Sequence, residues 1–289
     1  MIPAIIIIIG IVVLLWGSRN IIPILDFTAH CITGVLFHLV PKFKRREMKI
    51  MDANLRLFFP NNTKIQNDAI KFSSVKLTIL NALFVLHQPI LYNCQDYYLP
   101  FTFPEEFLRD VRRNKCILVT PHYGIYYDLF GFHKMGNLSG MFVYKLNNRF
   151  IERYIFKTQI FARKVHPVKH NELQAALLQP NPYDLLVIPC DQKAPTGLPV
   201  KYLNQSVKFH SSPATIHKMT KRSVWAYFVH YSFAEKKLGL KMVPIQRLTD
   251  GRSPLEITQA IADVFSQEIL AHPEQYLWAY NRFDLDHKA

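Results

Sequence analysis

The sequence predicts an α/β fold with a central, mostly parallel or mixed sheet flanked by helices, preceded by an N-terminal membrane-anchoring helix. Two observations lead to this fold class. From Cys116 onward, short apolar runs typical of buried strands alternate with segments of helical periodicity. The first sixteen residues contain no charged side chain. We therefore expect residues 1–25 to form the anchor and residues 26–289 to form the α/β domain.

The N-terminal segment favours a membrane-spanning helix over two alternatives. As a helix, residues 1–16 would be roughly 24 Å long, slightly short of the hydrocarbon layer. The next residues, 17–25, could extend it, with Arg19 reaching the interface. A signal peptide would need a basic start and a small-residue cleavage site, and this segment has neither. A buried core strand would be shorter.

The distribution of charge predicts the orientation of that helix. No basic residue precedes it, whereas Arg19 and the run PKFKRREMK at 41–49 follow it. The positive-inside rule then places the bulk of the chain in the cytoplasm. The basic run lies beside the apolar stretch 32–40, and this pairing suits an interfacial segment on anionic lipid. A solvated basic surface is the alternative interpretation of the run.

Composition narrows the class of partner. The chain has 289 residues, is 49% hydrophobic and has a formal net charge of +14. It can therefore bury a sizeable core, and its surface suits nucleic acid, an anionic membrane or an acidic protein. The apolar N-terminus and the lack of a recognised nucleic-acid-binding motif argue against nucleic acid. The four cysteines are scattered without C-x-x-C spacing, which indicates neither a disulfide framework nor a zinc site.

The predicted elements follow one another in strand–helix alternation. Residues 67–89 have apolar side chains at helical spacing and predict a long helix. Strands are predicted at 116–120, 140–144, 184–190, 224–232 and 240–245. Helices are predicted at 148–164, 171–179, 212–222 and 253–278, the last broken at Pro273. In such folds, ligands collect at the carboxyl ends of the strands.

A histidine at the first of these strand ends is the strongest candidate for catalysis. Pro121 ends the apolar run CILVT, and His122 follows it. A neutral imidazole there can act as a general base on a hydroxyl if a carboxylate orients its other nitrogen. Asp128 is the nearest carboxylate in the sequence. One His and one Asp are weak evidence on their own, since the chain has 12 histidines.

Two other stretches place polar groups at strand ends. Asp191, Gln192 and Lys193 directly follow the strand at 184–190, where they suit substrate binding, although a plain turn would contain the same residues. Lys145, Arg149 and Arg153 place cations beside the exit of the strand at 140–144. Such cations can hold phosphate, and a solvated helix surface is the alternative.

Taken together, these stretches resemble one family over nearly the whole chain. The sequence is similar to the lipid A biosynthesis acyltransferases, the late lauroyl and myristoyl transferases of the lysophospholipid acyltransferase superfamily. The motifs that carry the resemblance are KFKRREMKIMDANLRLFFPN, ILVTPHYGIYYDLFG, VYKLNN, VIPCDQKAPTGLPVKYLN and the closing HPEQYLWAYNRF. The Asp-Gln loop and the closing motif are the most specific of them.

The sequence departs from the family pattern at two positions. The family has four residues between the histidine and its carboxylate, whereas five separate His122 from Asp128. On a helix this is an error of roughly 100°, which a π-bulge or an insertion near Gly124 could absorb. Otherwise Asp191 would serve His122. Lys145 stands where the family usually has arginine, which keeps the charge and loses the bidentate fork.

The resemblance implies a mechanism and a set of partners. His122, held by Asp128 or Asp191, would take the proton of an acceptor hydroxyl, and the resulting alkoxide would attack an acyl thioester. Lys145, Asn148, Arg149, Asp191, Gln192 and Lys193 would bind substrate. No metal and no cofactor is implied beyond the thioester of acyl carrier protein or CoA as co-substrate. The acceptor would be an anionic glycolipid such as a lipid A precursor, acylated at the bacterial inner membrane by a cytoplasmic catalytic domain.

Two alternatives to this function stay open. The departure in spacing would fit an acyltransferase of the same superfamily that acts on a different lipid acceptor. It would equally fit a lipid-binding homologue that has lost catalysis.

Overall fold

A computed structural model describes most of the chain beyond the N-terminal segment. The described residues are 21–39, 45–91, 97–126, 138–144, 165–178, 183–246 and 251–283. Residues 1–20, most of the predicted anchor, lie outside them, as does the basic helix predicted at 148–164. The boundary predicted at residue 25 therefore stays a prediction.

The main sheet has six strands. Their order is β3-β2-β4-β1-β7-β8. The pairs β3–β2, β2–β4, β4–β1 and β1–β7 are parallel, so the predicted α/β class with a mostly parallel sheet is confirmed. The strand bounds are β1 Cys116–Thr120, β2 Gly140–Tyr144, β3 Val165–Lys169, β4 Leu185–Pro189, β7 Ser223–Ser232 and β8 Lys237–Gln246.

The sequence of β1 explains its central place. All five of its side chains are buried, and it pairs with β4 on one side and β7 on the other. A strand covered on both faces is apolar at every position rather than alternating, as CILV is here. Pro121, which directly follows, has no N–H to continue the ladder.

Seven α-helices accompany the sheet among the described residues. Their bounds are α1 Ile21–Leu39, α2 Arg45–Phe58, α3 Lys64–Leu91, α4 Glu105–Asn114, α5 Leu173–Leu178, α6 Ser212–Thr220 and α7 Pro254–Ala271. A 3₁₀ turn at Pro273–Gln275 follows α7, at the predicted break. Within the described residues, Lys64–His87 is the stretch with the length and composition to cross a membrane, and nearly half of it is buried.

A separate two-stranded hairpin follows the Asp-Gln loop. Strands β5 Leu198–Tyr202 and β6 Gln205–Phe209 pair in antiparallel fashion. The two turn residues, Leu203 and Asn204, both have positive φ, as the tight turns of hairpins require. The Ser266 hydroxyl of α7 accepts the Leu203 N–H at 2.8 Å and holds this turn.

The chain forms two compact units. The first contains residues 1–100, 230–239 and 274–289, and the second contains residues 101–229 and 240–273. In the first unit α1 packs on α3, and the closing segment is held by side chains: Asn54 donates to the Trp278 carbonyl at 2.7 Å and Ser74 to the Tyr276 carbonyl at 2.7 Å. The candidate active site lies in the second unit.

Candidate active site

His122 and Asp191 occupy equivalent positions on neighbouring strands. Strands β1 and β4 are parallel, with Thr120 opposite Pro189 in register. His122 and Asp191 each come two residues after these strand ends, so the sheet itself brings them to the same edge. A separation of 69 residues in the sequence thereby becomes direct contact.

Asp191 holds His122 through both of its carboxylate oxygens. Oδ2 accepts the backbone N–H of His122 at 2.9 Å, and Oδ1 lies 2.5 Å from ring atom Nδ1. The carboxylate is almost completely buried, whereas the His122 side chain is 16% exposed. This pairing fixes the orientation of the ring and favours the tautomer that donates from Nδ1.

The other ring nitrogen points to a second residue of the Asp-Gln loop. The side-chain amide of Gln192 lies 3.3 Å from Nε2 of His122 and can donate to it. The ring of Tyr126 meets the imidazole edge-on at a centroid distance of 4.8 Å. With Nδ1–H on Asp191, Nε2 presents a lone pair, which is the state that a general base requires.

The turn after His122 is fixed by the neighbouring strand. Gly124 has φ of 57°, in the left-handed region that favours glycine, and it forms an isolated bridge with Val229 of β7. The Ile125 N–H donates to the Val229 carbonyl at 3.0 Å. These bonds hold the backbone on the carboxyl side of His122.

A chain of three polar side chains starts at Tyr123, the residue after the histidine. The hydroxyl of Tyr123 donates to Glu268 at 3.3 Å, and Lys241 of β8 donates to the second oxygen of Glu268 at 2.5 Å. Tyr123 and Glu268 are both buried, and the Tyr123 ring packs edge-on against Phe228. Successive residues of the turn are therefore held by different carboxylates.

The structure describes only part of the predicted site. It brings His122, Asp191 and Gln192 together and leaves Lys193, half-buried, next in the loop. The other predicted residues, Asp128, Lys145, Asn148 and Arg149, lie outside the described residues. Among the described residues, Asp191 is the carboxylate seen in contact with His122. The sequence offered it both as a substrate-binding residue and as the alternative partner of the histidine.

Sequence reasoning missed Glu268, although a signal for it exists. The buried face of α7 contains Ile257, Ile261 and Phe265, and Glu268 continues this helical spacing. A carboxylate in a core register of an amphipathic helix needs a polar partner, because a buried charge without one is costly. The partners, Tyr123 and Lys241, come from two other segments and could not be named from the helix alone.

Other chemistry finds little support among the described residues. No group of three or more His, Cys, Asp or Glu side chains in that part of the chain could hold a metal ion. Burial, with a smaller contribution from Asp110, raises the pKa of the Cys116 thiol well above its usual range. That thiol therefore stays protonated and is a poor nucleophile.

Comparison with known proteins identifies the family. A search of curated proteins finds no match to the chain. The family model of bacterial lipid A biosynthesis acyltransferases matches residues 3–284, almost the full length. The chain therefore belongs to the bacterial lipid A biosynthesis acyltransferase family.

Proposed function

We propose that this acyltransferase moves a fatty acyl chain from an acyl thioester to a hydroxyl of a lipid A precursor or a related glycolipid, with His122 as the general base. Family membership supports lipid A-type acyl transfer in general. The observation that carries the finer proposal is the contact between His122 and the buried Asp191, since a histidine held in this way is preorganised to accept a proton at Nε2.

The proposed reaction needs no covalent acyl-enzyme. Nε2 of His122 takes the proton of the acceptor hydroxyl while Asp191 stabilises the imidazolium that forms. The acceptor oxygen bonds to the thioester carbonyl carbon and gives a tetrahedral oxyanion. Its collapse breaks the carbon–sulfur bond, and the departing thiolate takes the proton back from Nε2. The products are an ester and a free thiol.

We propose that Gln192 acts on the substrate as well as on the histidine. Its amide lies 3.3 Å from the Nε2 atom that the acceptor hydroxyl must approach. In the proposed complex the hydroxyl replaces this contact, and the amide N–H donates to a substrate oxygen, where developing negative charge strengthens such a bond. Lys193, Lys145, Asn148 and Arg149 are proposed to bind the anionic parts of the substrates.

Asp191 is our proposed partner for His122, with Asp128 as the competing carboxylate. Asp191 makes two contacts to His122 in the structure. Asp128 lies one residue beyond the family spacing. If Asp191 alone orients the imidazole, the departure at Asp128 need not impair proton transfer.

The partners and the location follow from the proposed substrates. Acyl carrier protein or acyl-CoA would deliver the thioester, and the formal charge of +14 suits the acidic carrier, CoA and an anionic glycolipid alike. No resident cofactor is proposed. We place the enzyme at the bacterial inner membrane, with the catalytic domain in the cytoplasm, because basic residues follow the N-terminal segment.

An acyl-transfer assay with the purified full-length protein tests the proposal. Acyl-carrier-protein and CoA thioesters would be offered with a panel of lipid acceptors, and product formed by the wild type would be compared with that of His122→Ala. We expect transfer by the wild type and none by His122→Ala. The matched control is Asp263→Asn, which changes an exposed carboxylate on α7 and should keep wild-type activity. Full activity of His122→Ala would overturn the proposed mechanism.

The departures at Asp128 and Lys145 favour a second candidate, an acyltransferase for a different lipid acceptor. The same acceptor panel separates the two, because turnover restricted to a glycerolipid or another lipid would identify it. Binding of lipid without turnover of any acceptor would instead support a catalytically inactive homologue.

A further inference from the structure

Helix α1 of the first unit has its one charged side chain buried and several apolar side chains exposed. Asp26 is the only Asp, Glu, Lys or Arg in the helix, and it is 5% exposed. Its carboxylate lies 2.6 Å from the ammonium group of Lys76 on α3, which is also buried. Phe27, the next residue, is 67% exposed, and Val35 is 55% exposed.

Most of the exposed residues of α1 form one continuous outer stripe. We define this stripe as Pro23, Phe27, His30, Cys31 and Val35, all of which are exposed. Their spacing of three or four residues places them on one side of a helix. The opposite side, with Leu25, Asp26 and Ala29, is buried. The stripe extends over more than three helical turns without a formally charged side chain.

Helix α3 repeats this arrangement. Lys76 is its last Asp, Glu, Lys or Arg, and beyond it the exposed positions Thr78, Ala82 and Leu86 recur every four residues. In α1 and in the part of α3 from Lys76 onward, the only Asp, Glu, Lys or Arg side chains are therefore Asp26 and Lys76. These two pair with each other between the helices. A water-facing helix normally shows the reverse pattern, with the polar residues outside.

The exposed apolar side chains and the buried ion pair are both favourable if hydrocarbon surrounds the two helices. In water, exposure of Phe27 and Val35 forgoes the free energy of apolar burial, and burial of an ion pair has a desolvation cost. Against lipid tails, the apolar members of the stripe are in contact with like material, and the buried ion pair is where charges must be. The sequence on both sides of α1 also suits a location at an anionic membrane. An uncharged apolar run ends at Trp16, and five Lys and Arg residues lie between 42 and 49.

We infer that the outer surface of α1 and of the second half of α3 inserts into the acyl-chain layer of an anionic membrane. This lipid-contacting surface extends beyond the predicted anchor at residues 1–25, which overlaps only the start of α1. It deepens the proposed function by naming the part of the molecule that enters the layer where a glycolipid acceptor resides. Its test measures depth in the membrane and no turnover, so it can fail while the proposed function stands.

Cys31 gives the experiment its reporter. It is exposed within the stripe, whereas Cys116 and Cys190 are buried. The full-length protein with Cys94→Ser would be labelled at Cys31 with an environment-sensitive fluorophore and reconstituted into phosphatidylethanolamine–phosphatidylglycerol vesicles. We expect quenching by lipids brominated on their acyl chains and little quenching by iodide in the buffer. A label at Met219→Cys on α6, in a chain with Cys31→Ser, should show the opposite, because Met219 is exposed in the second unit.

Two results with the Cys31 label alone would overturn the inference, and a third would come from variants at Val35. Strong quenching of the Cys31 label by iodide would show that the stripe faces water. Protection from both quenchers would show that protein covers the stripe, either residues 1–20 or a second copy of the chain. A charged substitution sharpens the test: Val35→Glu, four residues from the label, should reduce bromolipid quenching at least twofold, whereas the matched Val35→Leu should leave it unchanged. Equal quenching in the two variants would also contradict the inference.

Discussion

His122 and Tyr123 are neighbours in one turn, and each is held by a different buried carboxylate. Asp191 binds the ring and the backbone of His122, and Glu268 binds the Tyr123 hydroxyl and the Lys241 ammonium group. The His122 side chain is 16% exposed, whereas Tyr123 is 1% exposed. Tyr123 has its single polar side-chain atom bonded inside the protein. The His122 side chain is only partly buried, and its Nε2 atom contacts the Gln192 amide.

This difference indicates a chemical role for His122 and a structural role for Tyr123. A carboxylate on Nδ1 fixes the tautomer and stabilises the imidazolium that forms, so the Asp191 contact is expected to act on the rate of proton transfer. The Glu268 contacts are made to Tyr123 and Lys241, and they are expected to act on the stability of the turn. Mutation of the two carboxylates should therefore change different measured quantities.

Asp191→Asn should have the largest effect on activity. The amide has no negative charge to stabilise the imidazolium and can hold the wrong tautomer, for which the precedent in triad enzymes is a loss of about 10⁴-fold in kcat. We expect kcat to fall by about 10³ to 10⁴ with a small change in KM, measured by acyl transfer. The fold should survive, as circular dichroism would show.

Asp128→Asn is the matched comparison for that variant. If Asp191 is the working partner of His122, Asp128→Asn should reduce kcat less than Asp191→Asn does. The reverse order would assign the orienting role to Asp128 and contradict our proposal.

Glu268→Ala should have the largest effect on stability. It leaves the buried Tyr123 hydroxyl without its acceptor and removes the partner of Lys241. Lys241 has half of its side chain exposed, so water compensates its loss in part. We expect the free energy of unfolding to fall by about 1–3 kcal/mol, measured by urea denaturation. In the fraction that stays folded, kcat should change far less than in Asp191→Asn.

Two further variants, Glu268→Gln and Tyr123→Phe, separate the contributions of Lys241 and Tyr123 to this loss of stability. The glutamine can still accept from Tyr123, so this variant isolates the loss of the Lys241 ion pair. The phenylalanine removes only the hydroxyl and should reduce the free energy of unfolding by about 1 kcal/mol. A loss of kcat in Tyr123→Phe comparable to that in Asp191→Asn would show that the division between chemistry and support is wrong.

The sequence could point to His122 and Asp191 because the ends of buried strands are marked in the sequence. The continuous apolar run of β1 and Pro121 locate the edge at His122, and the run before Asp191 locates the neighbouring edge. Whether two such edges touch depends on strand order, since β4 lies beside β1 only in the folded sheet. The sequence analysis could thus name Asp191 as a partner without excluding Asp128.

The elements that sequence analysis missed have weak local signals. Strand β3 contains Pro167, which argues against a strand, yet it fits because it is an edge strand, where a proline is tolerated. The β5–β6 hairpin turns at Leu203 and Asn204, and leucine is an unusual residue for positive φ. Its turn is held by Ser266, a contact that no local pattern predicts.

A third carboxylate, Glu256, lies on the same helix as Glu268 and tests the effect of exposure. At the start of α7 the Ser253 hydroxyl and the Glu256 side chain form a reciprocal capping box. Bonds from the side chain and backbone of Ser253 lower the pKa of Glu256. Because the pKa is lower in the folded protein, the stabilisation is complete above the ordinary pKa of glutamate, about 4.3, and is lost as the pH falls through the lower folded value.

We therefore expect the smallest of the predicted effects from Glu256→Gln, and expect it to depend on pH. The free energy of unfolding of the wild type should exceed that of Glu256→Gln at neutral pH, and this excess should diminish below the ordinary glutamate pKa. Denaturant unfolding of both proteins between pH 7 and pH 3 would measure it. Ser253→Ala should reduce the same pH dependence, since it removes a hydroxyl that holds the carboxylate, and should lower stability by about 1 kcal/mol at neutral pH. If the difference in unfolding free energy between the wild type and Glu256→Gln did not change with pH, the charge of the exposed Glu256 carboxylate would not stabilise the fold. Glu256 would then differ from the buried carboxylates Asp191 and Glu268.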